Sequence, residues 1–273
     1  MESRQSSGKP EALPDSGKAK TSREILQEEI WQGLGELRRT ASGLLLSGLS
    51  AGLDIGFSAL LMGAVLTFLE PSASPLFRSF LLGNAYTLGF IFVILGRSEL
   101  FTEHTALAVF PVLEGRASLA QLGRLWGLVY ASNLVGAAAF AAFAVVLGTR
   151  LGIVETEAFL TISRELVHHD ALTIFLSALA AGWLIGLLSW LVSAARETVS
   201  QVVVVWIITF VMGFLGLHHC IVGTVEVLTG VFSPGGPGIN AFGFFLFWTT
   251  FGNVAGGVAL VAVVKYSHAR LAD

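Results

Sequence analysis

Two apolar segments long enough to cross a bilayer are each cut by a polar, glycine-containing break. The first break is Gly96-Arg97-Ser98-Glu99-Leu100-Phe101-Thr102-Glu103-His104-Thr105. The second, Gly216-Leu217-His218-His219-Cys220, follows 120 residues later, counted from Gly96 to Gly216. Backbone that leaves a helix inside hydrocarbon loses hydrogen bonds worth several kcal/mol per group, so it persists only where protein or a water-filled cavity satisfies it. Two matched breaks therefore predict a transport path with one central site.

Composition supports the membrane setting. The 273-residue chain is 54% hydrophobic and only 13% charged, with mean hydropathy +0.75, whereas about a quarter of a soluble domain is charged. Apolar stretches near residues 42–69, 79–96, 121–149, 172–195, 200–232 and 239–265 approach or exceed the roughly 20 residues a spanning helix needs. They predict six spans and a 42–267 channel domain. Residues 1–20, rich in Ser, Lys, Pro and Gly, are expected to be a disordered tail. Residues 21–41 read as an amphipathic helix, with Thr21 and Glu24 at capping-box spacing and Ile25, Ile30, Trp31, Leu34 and Leu37 near helical period.

No short apolar region with a cleavage site precedes the first span, so the N-terminus is expected to stay in the cytoplasm. Lys and Arg agree: Arg4, Lys9, Lys18, Lys20, Arg23, Arg38, Arg39, Arg116, Arg124, Arg196, Lys265 and Arg270 share one predicted side, against Arg78, Arg150 and Arg164 on the other. Residues 268–273 are then a cytoplasmic C-terminus. The net charge of −3 decides little. The single Cys220 excludes an intrachain disulfide, and Cys220 with His219 is too few ligands for a metal, so neither a metal nor a cofactor is expected.

The chain repeats itself. Leu46–Gly56 is similar to Leu176–Gly186, and Ser132-Asn133-Leu134-Val135-Gly136-Ala137 to Gly252-Asn253-Val254-Ala255-Gly256-Gly257. Three spans per half force the second half to enter from the opposite side, so the repeat is inverted, a design that puts the site near the midplane. Gly52, Gly56, Gly182, Gly186, Gly252 and Gly256 have small-xxx-small spacing for close helix contact.

Residue chemistry divides among the breaks and their neighbours. At the first break, Leu100 and Phe101 suit an apolar constriction and Thr102 one hydrogen bond to a permeant; Ala106–Phe110, too short to span, suggests a re-entrant second half-helix. At the second, His219 is the stronger functional candidate, because an ionisable group inside a span by default marks a pathway. His218 is the better candidate for capping the broken helix, Glu99 supports the first break, and Glu226 is expected to pair within the bundle. Asn133 and Asn253, one per repeat, are expected to bond the loose backbone of the breaks. His168, His169 and Asp170 stand at the mouth of the fourth span as a vestibule.

Taken together these residues resemble the formate/nitrite transporter family, from about residue 42 to 267. The resemblance rests on Ser98–Thr102, Trp126–Gly136, His219 and Gly252–Gly257. It implies an all-α integral membrane fold of six transmembrane helices in an aquaporin-like inverted repeat, with the second and fifth helices interrupted. It also implies a homopentamer with a pore in each protomer, cytoplasmic termini, a bacterial inner membrane location, and passage of small monovalent anions or their acids. By position it makes Leu100 and Phe101 part of a constriction, Thr102 the loop threonine, His219 the central histidine, and Tyr86, Phe90 and Met212 pore-lining residues. One departure stands out. Where typical members carry a vestibule lysine ahead of the fourth span, this chain has Asp170 or Leu166, depending on the anchor used. A carboxylate there opposes anions, while His168 and His169 attract them when protonated. His218 also stands where many members have an acidic or amide residue.

Three readings follow: a channel or proton-coupled transporter for a small monovalent anion, a channel of the same fold for a cation or neutral solute, and an intramembrane enzyme. The enzyme reading lacks a nucleophile with an adjacent base, HExxH or a phosphate-cradling loop. No basic aromatic patch suggests nucleic acid.

Overall fold

The computed structural model describes residues 19–271, so the tail expected before residue 19 and the last two residues lie outside the described part. Helix α1 (Ser22–Arg38) begins at a formed capping box: Thr21 Oγ1 accepts from the Glu24 N–H, and the Glu24 carboxylate accepts from the Thr21 N–H. The first span is α2 (Ala41–Asp54) continued by α3 (Gly56–Phe68). The second opens with α4 (Pro75–Leu95), where Ser74 caps and Pro75 takes the first helical position, which lacks an intrahelical N–H bond anyway. After the break, α5 (Phe101–Leu107) and the short α6 (Phe110–Leu113) follow.

The third span is α7 (Leu119–Leu151), bounded by a Ser118–Gln121 capping box and by Gly152 at φ +67°. A short helix α8 (Thr156–Val167) leads to the fourth span, α9 (Ala171–Ala194). The fifth consists of α10 (Thr198–Phe214) and α11 (Val222–Val231) with the second break between them. The sixth runs through α12 (Ile239–Ala255), a π-helical stretch over Gly256–Val263 and α13 (Val264–Leu271). The fold is an all-helical membrane bundle of six spans in an inverted repeat, its second and fifth spans interrupted. Among the described residues five helical stretches are long and apolar enough to cross a bilayer, and the fifth span consists of two shorter apolar helices.

The repeat is visible in the packing. α2 lies along α7 and α9 along α12, the same first-to-third pairing in each half, while α4 and α10 pack together. In lipid, apolar surface gives helices little reason to associate, so close backbone approach matters more. Gly52 meets the backbone of Asn133, and Gly182 meets the backbone of Asn253 at the equivalent crossing. A β-carbon at either site would collide with that backbone.

Both breaks end their first half-helix in the same way. Arg97 (φ +56°) and Gly216 (φ +63°) occupy the left-handed position, and Ser98 N–H and Leu217 N–H reach back to the Val93 and Met212 carbonyls at 3.1 and 2.9 Å. The structure thus equates Gly216 with Arg97, one residue away from the Gly96 to Gly216 match suggested by the sequence. Glycine identity misled there, because an arginine holds the left-handed turn.

Helix α8 was not anticipated either, although Ala158, Phe159, Ile162, Ser163 and Leu166 form its buried stripe at helical spacing. It braces α11: Ser163 donates to the Val227 carbonyl at 3.2 Å.

Helix α1 docks beneath α9 through a buried polar contact. Glu29, fully buried, accepts from Ser193 Oγ at 2.6 Å and from Ser189 Oγ at 3.1 and 3.2 Å, with Ile25, Leu26, Ile30 and Leu34 packed around it. Burial, partly offset by Ser193 and reinforced by the nearby Glu103, pushes its carboxyl from 4.5 up to about 7. A raised carboxyl means the docked state holds the proton more tightly. Docking is therefore strongest below about pH 4.5, weakens as pH climbs toward about 7, and loses about 3 kcal/mol above that range. Hydrogen exchange of α1 amides, corrected for intrinsic rate, should show protection falling over this interval, and Glu29→Gln should flatten the response. Equal protection of the wild type on both sides of the interval would show that Glu29 does not titrate in the docked helix.

Candidate functional site

A break inside a bilayer needs donors and acceptors brought to it, and one asparagine per repeat provides them. Asn133 on α7 accepts from the Phe101 N–H at 2.8 Å and donates to the carbonyls of Glu99 (2.9 Å) and Gly48 (2.8 Å). Asn253 on α12 accepts from the Cys220 N–H at 2.8 Å and donates to the carbonyls of His218 (3.1 Å) and Ala178 (2.8 Å). Each amide ties the unwound segment to its own half's first span. Both are fully buried, so no water replaces them.

Held in this way, the breaks bring Thr102 and His219 together. Thr102 Oγ1 and His219 Nε2 lie 2.8 Å apart, both at most 1% exposed. The other ring nitrogen, Nδ1, accepts from the Ile221 and Val222 N–H groups at 3.3 and 3.2 Å, capping the start of α11. A nitrogen that accepts two backbone N–H groups carries no proton, so the proton of the neutral ring sits on Nε2 and is donated to Thr102. The Thr102 hydroxyl hydrogen then has no acceptor among the described residues. It is a donor left free where the two breaks meet.

Two cavities flank this pair. On the side of the termini, a cavity of about 990 Å³ is lined by Arg38, Arg39, Arg97, Glu99, Glu103 and His104, among others. Glu99 is its hub: its carboxylate accepts from Arg39 and pairs with His104 Nε2, and its N–H donates to Ser47 Oγ at 3.1 Å. His104 Nδ1 is buried with no partner among the described residues. On the far side, a cavity of about 260 Å³ is lined by Tyr86, Met212, Glu165, Leu166, His168, His169 and Glu226. Along α4, Tyr86 faces the far cavity and Ile94 the terminal one, so Phe90 lies between them. The Phe90 ring stands 5.4 Å from both Tyr86 and His219.

The structure therefore brings together Thr102, His219, Phe90, Tyr86 and Met212, and places Leu100 and Phe101 fully inside the protein beside them. Phe101 turns its ring to α7, with centroids 4.7 Å from Tyr130 and 6.0 Å from Trp126. His218 sits apart from the pore pair. Its N–H and Nδ1 meet Ser177 Oγ, and its Nε2 meets the Leu166 carbonyl at 3.0 Å, so the ring bridges α9 and α8.

Two expectations need correction. Asp170 does not face the far cavity: it caps α9, accepting from the Leu172 and Thr173 N–H groups and from Thr173 Oγ1. Those bonds, the hydroxyl's first, hold its carboxyl below the usual range. Of the two candidate replacements for the vestibule lysine, Leu166 is the one lining that cavity. Glu226 does not pair within the bundle, because α11 turns it toward the far cavity; no hydrogen bond reaches its carboxyl among the described residues. The sequence reading missed Glu165, Ser177, Ser47, Arg39 and Ser189. Only Glu165 had a local signal, the helical stripe of α8; the others act across elements.

A family model described as "Formate/nitrite transporter" matches residues 23–267. Inner membrane protein YfdC of Escherichia coli (strain K12) is 34% identical over 250 residues, covering 90% of this chain and 78% of that protein. Among solved structures, an "FNT family ion channel" superposes with TM-score 0.80 at 21% identity, covering 90% of this chain and 98% of that one. A "Pentameric formate channel with formate bound" gives 0.69 at 24% identity, covering 84% and 97%.

The asparagine ties predict a specific weakness. Asn253→Ala strands the Cys220 N–H and the His218 carbonyl, each costing about 1–3 kcal/mol when unsatisfied and buried, and cuts the brace to the Ala178 carbonyl. Thermal unfolding in detergent should show a drop of several degrees for Asn253→Ala and for Asn133→Ala. The exposed Asn240→Ala should match wild type. Equal midpoints for all three would remove the amides from the account of the breaks.

Proposed function

The chain belongs to the formate/nitrite transporter family, and on that footing we propose that it is a membrane channel for small monovalent anions such as formate or nitrite, or their conjugate acids. It is a membrane transport protein and not an enzyme. The observation that carries the reading is the Thr102–His219 contact, 2.8 Å long and sealed from both cavities, with the threonine hydroxyl hydrogen free. A permeant with one or two acceptor oxygens finds a donor there and apolar walls of Phe90, Leu100 and Met212 around it. Toward the termini Glu99 is engaged by Arg39 and His104, and the Thr102–His219 pair itself offers a permeant a donor hydrogen.

Placement in the membrane follows from charge. Lys20, Arg38, Arg39, Arg97, Arg116, Arg124, Arg196, Lys265 and Arg270 gather on the side of the termini, against Arg78, Arg150 and Arg164. This favours cytoplasmic termini in a bacterial inner membrane and makes the 260 Å³ cavity the outer vestibule. Likeness to a pentameric channel, together with exposed Phe80, Trp206, Phe247 and Phe251 on the bundle surface, supports five copies with a pore in each. Asp170, spent on capping α9, no longer argues for a cation pore.

The test is flux into proteoliposomes. Wild type should raise formate and nitrite uptake above that of empty vesicles between about pH 5 and 8, and Thr102→Val should lower it by about tenfold, the equivalent of one good hydrogen bond. The reading fails if no such anion enters faster than into empty vesicles at any pH in the range.

A further inference from the structure

Glu226 has no part in the path described so far. It is 5% exposed on α11, lines the outer cavity, and no donor among the described residues touches its carboxyl. Tyr86, across the same cavity on α4, is 3% exposed, and its buried hydroxyl has no partner among the described residues. Buried polar groups in folded proteins are nearly always bonded, so two unbonded groups on one cavity call for a ligand. Phe90, packed on Tyr86 behind this cavity, has its ring edge against His219. A ligand held there stands one step from the centre.

The charges that face this cavity are few. α8 and the turn after it supply Glu165, ion-paired to Arg78 at 2.6 Å, and His168 and His169, stacked 3.7 Å apart. α3 and α12, which also pack on α11, carry no ionisable side chain, and no ionisable group of α7 lines the cavity. No lysine or unpaired arginine is present among the lining residues. An anion arriving beside an ionised Glu226 therefore meets repulsion in a partly dry space. A proton placed between the two removes it.

We propose that Glu226 and Tyr86 form an outer subsite that takes one small anion together with one proton, the proton lying between the Glu226 carboxyl and the permeant. Written either way the balance is the same: a protonated Glu226 with the anion, or ionised Glu226 with the undissociated acid. The proton comes from the outer solution and no other bond changes. Tyr86 donates its free O–H to an oxygen of the permeant. A small cation would also suit Glu226, but the donor pair at Thr102 and His219 gives it nowhere to go next. The inference rests on the anion-channel reading above and names the state in which the anion is accepted.

Formate uptake by proteoliposomes of the full chain tests it, with an internal pH dye. In wild type, initial rates should fall by up to about tenfold per unit of rising pH once Glu226 is ionised, each formate bringing in one proton. Glu226→Gln keeps the shape and offers an N–H donor that does not titrate. It should flatten the pH slope and exceed wild-type uptake at about pH 8 by at least about tenfold. Tyr86→Phe should slow uptake severalfold with the slope kept. On the wild-type protein itself, formate should shield Glu226 from a carbodiimide, read by mass spectrometry. Parallel pH slopes for wild type and Glu226→Gln overturn the proposal, as does absence of shielding if that variant does not assemble. Methylammonium uptake lost on Glu226→Gln would make the site a cation site and overturn it too. No formate or nitrite flux in wild type at any pH would instead remove the channel reading on which it stands.

Discussion

Everything functional in this protein depends on two unwound stretches of backbone surviving in hydrocarbon. The bilayer offers no water to satisfy them, so the protein must, and it does so with one buried asparagine per repeat. Asn133 and Asn253 each grip the unwound segment that follows the turn, donating to the carbonyl two residues after it and accepting from the N–H two residues further on. A second donated bond reaches the first span of the same half, at Gly48 or Ala178. That bond is what converts a local cap into a tertiary brace. The close crossings at Gly52 and Gly182 belong to the same arrangement, because the amides reach only if the helices nearly touch.

Rigid breaks in turn permit a fixed central donor. His219 is oriented by two backbone N–H groups at Nδ1, so its other nitrogen has one role and one partner. The histidine works as a positioned hydrogen-bond donor whose proton location is set by the fold. This differs from a freely titrating imidazole, which would change its offer to the permeant with every change of pH. The neighbouring His218 is equally fixed but spends both nitrogens on Ser177 and Leu166. Adjacent histidines of the same break thus serve different ends, one bridging α8 and α9 and one meeting Thr102 between the two breaks.

Much of this was legible in the sequence because hydrocarbon punishes polarity. Spans, breaks and the paired asparagines each showed as polar groups in places where polar groups are costly. The family pattern named the same residues. What escaped was whatever the penalty does not mark. Arg97 holds a left-handed turn that the eye assigns to Gly96. Helix α8 follows ordinary soluble periodicity over 12 residues and was lost between two stronger apolar runs. Glu226 sits on a half-helix buried on nearly every side, so period says nothing about which way it points. Asp170 beside a span mouth reads as vestibule charge, yet Leu172 and Thr173 show it to be a cap.

The inverted frame is symmetrical in backbone and not in chemistry, and that asymmetry is informative. Aligned on their left-handed turns, Glu99 stands where His218 does, and Leu100 where His219 does. Toward the termini the polar member of the pair, Glu99, is tied to Arg39 at the end of α1, linking the first break to the docked N-terminal helix. Toward the far side the equivalent histidine is tied to α8 and α9, and the open carboxyl belongs to Glu226 a turn further on. Each cavity thus carries one acid without a hydrogen bond among the described residues, Glu226 on the far side and Glu103 on the side of the termini, but only the latter shares its cavity with arginines. On the proposed reading, an anion arriving from the Glu226 side is met by the Tyr86 hydroxyl and by an acid that must share a proton. From the other side it meets arginines first. The difference between the two sides is therefore built into side chains on a frame that is otherwise the same seen from either face.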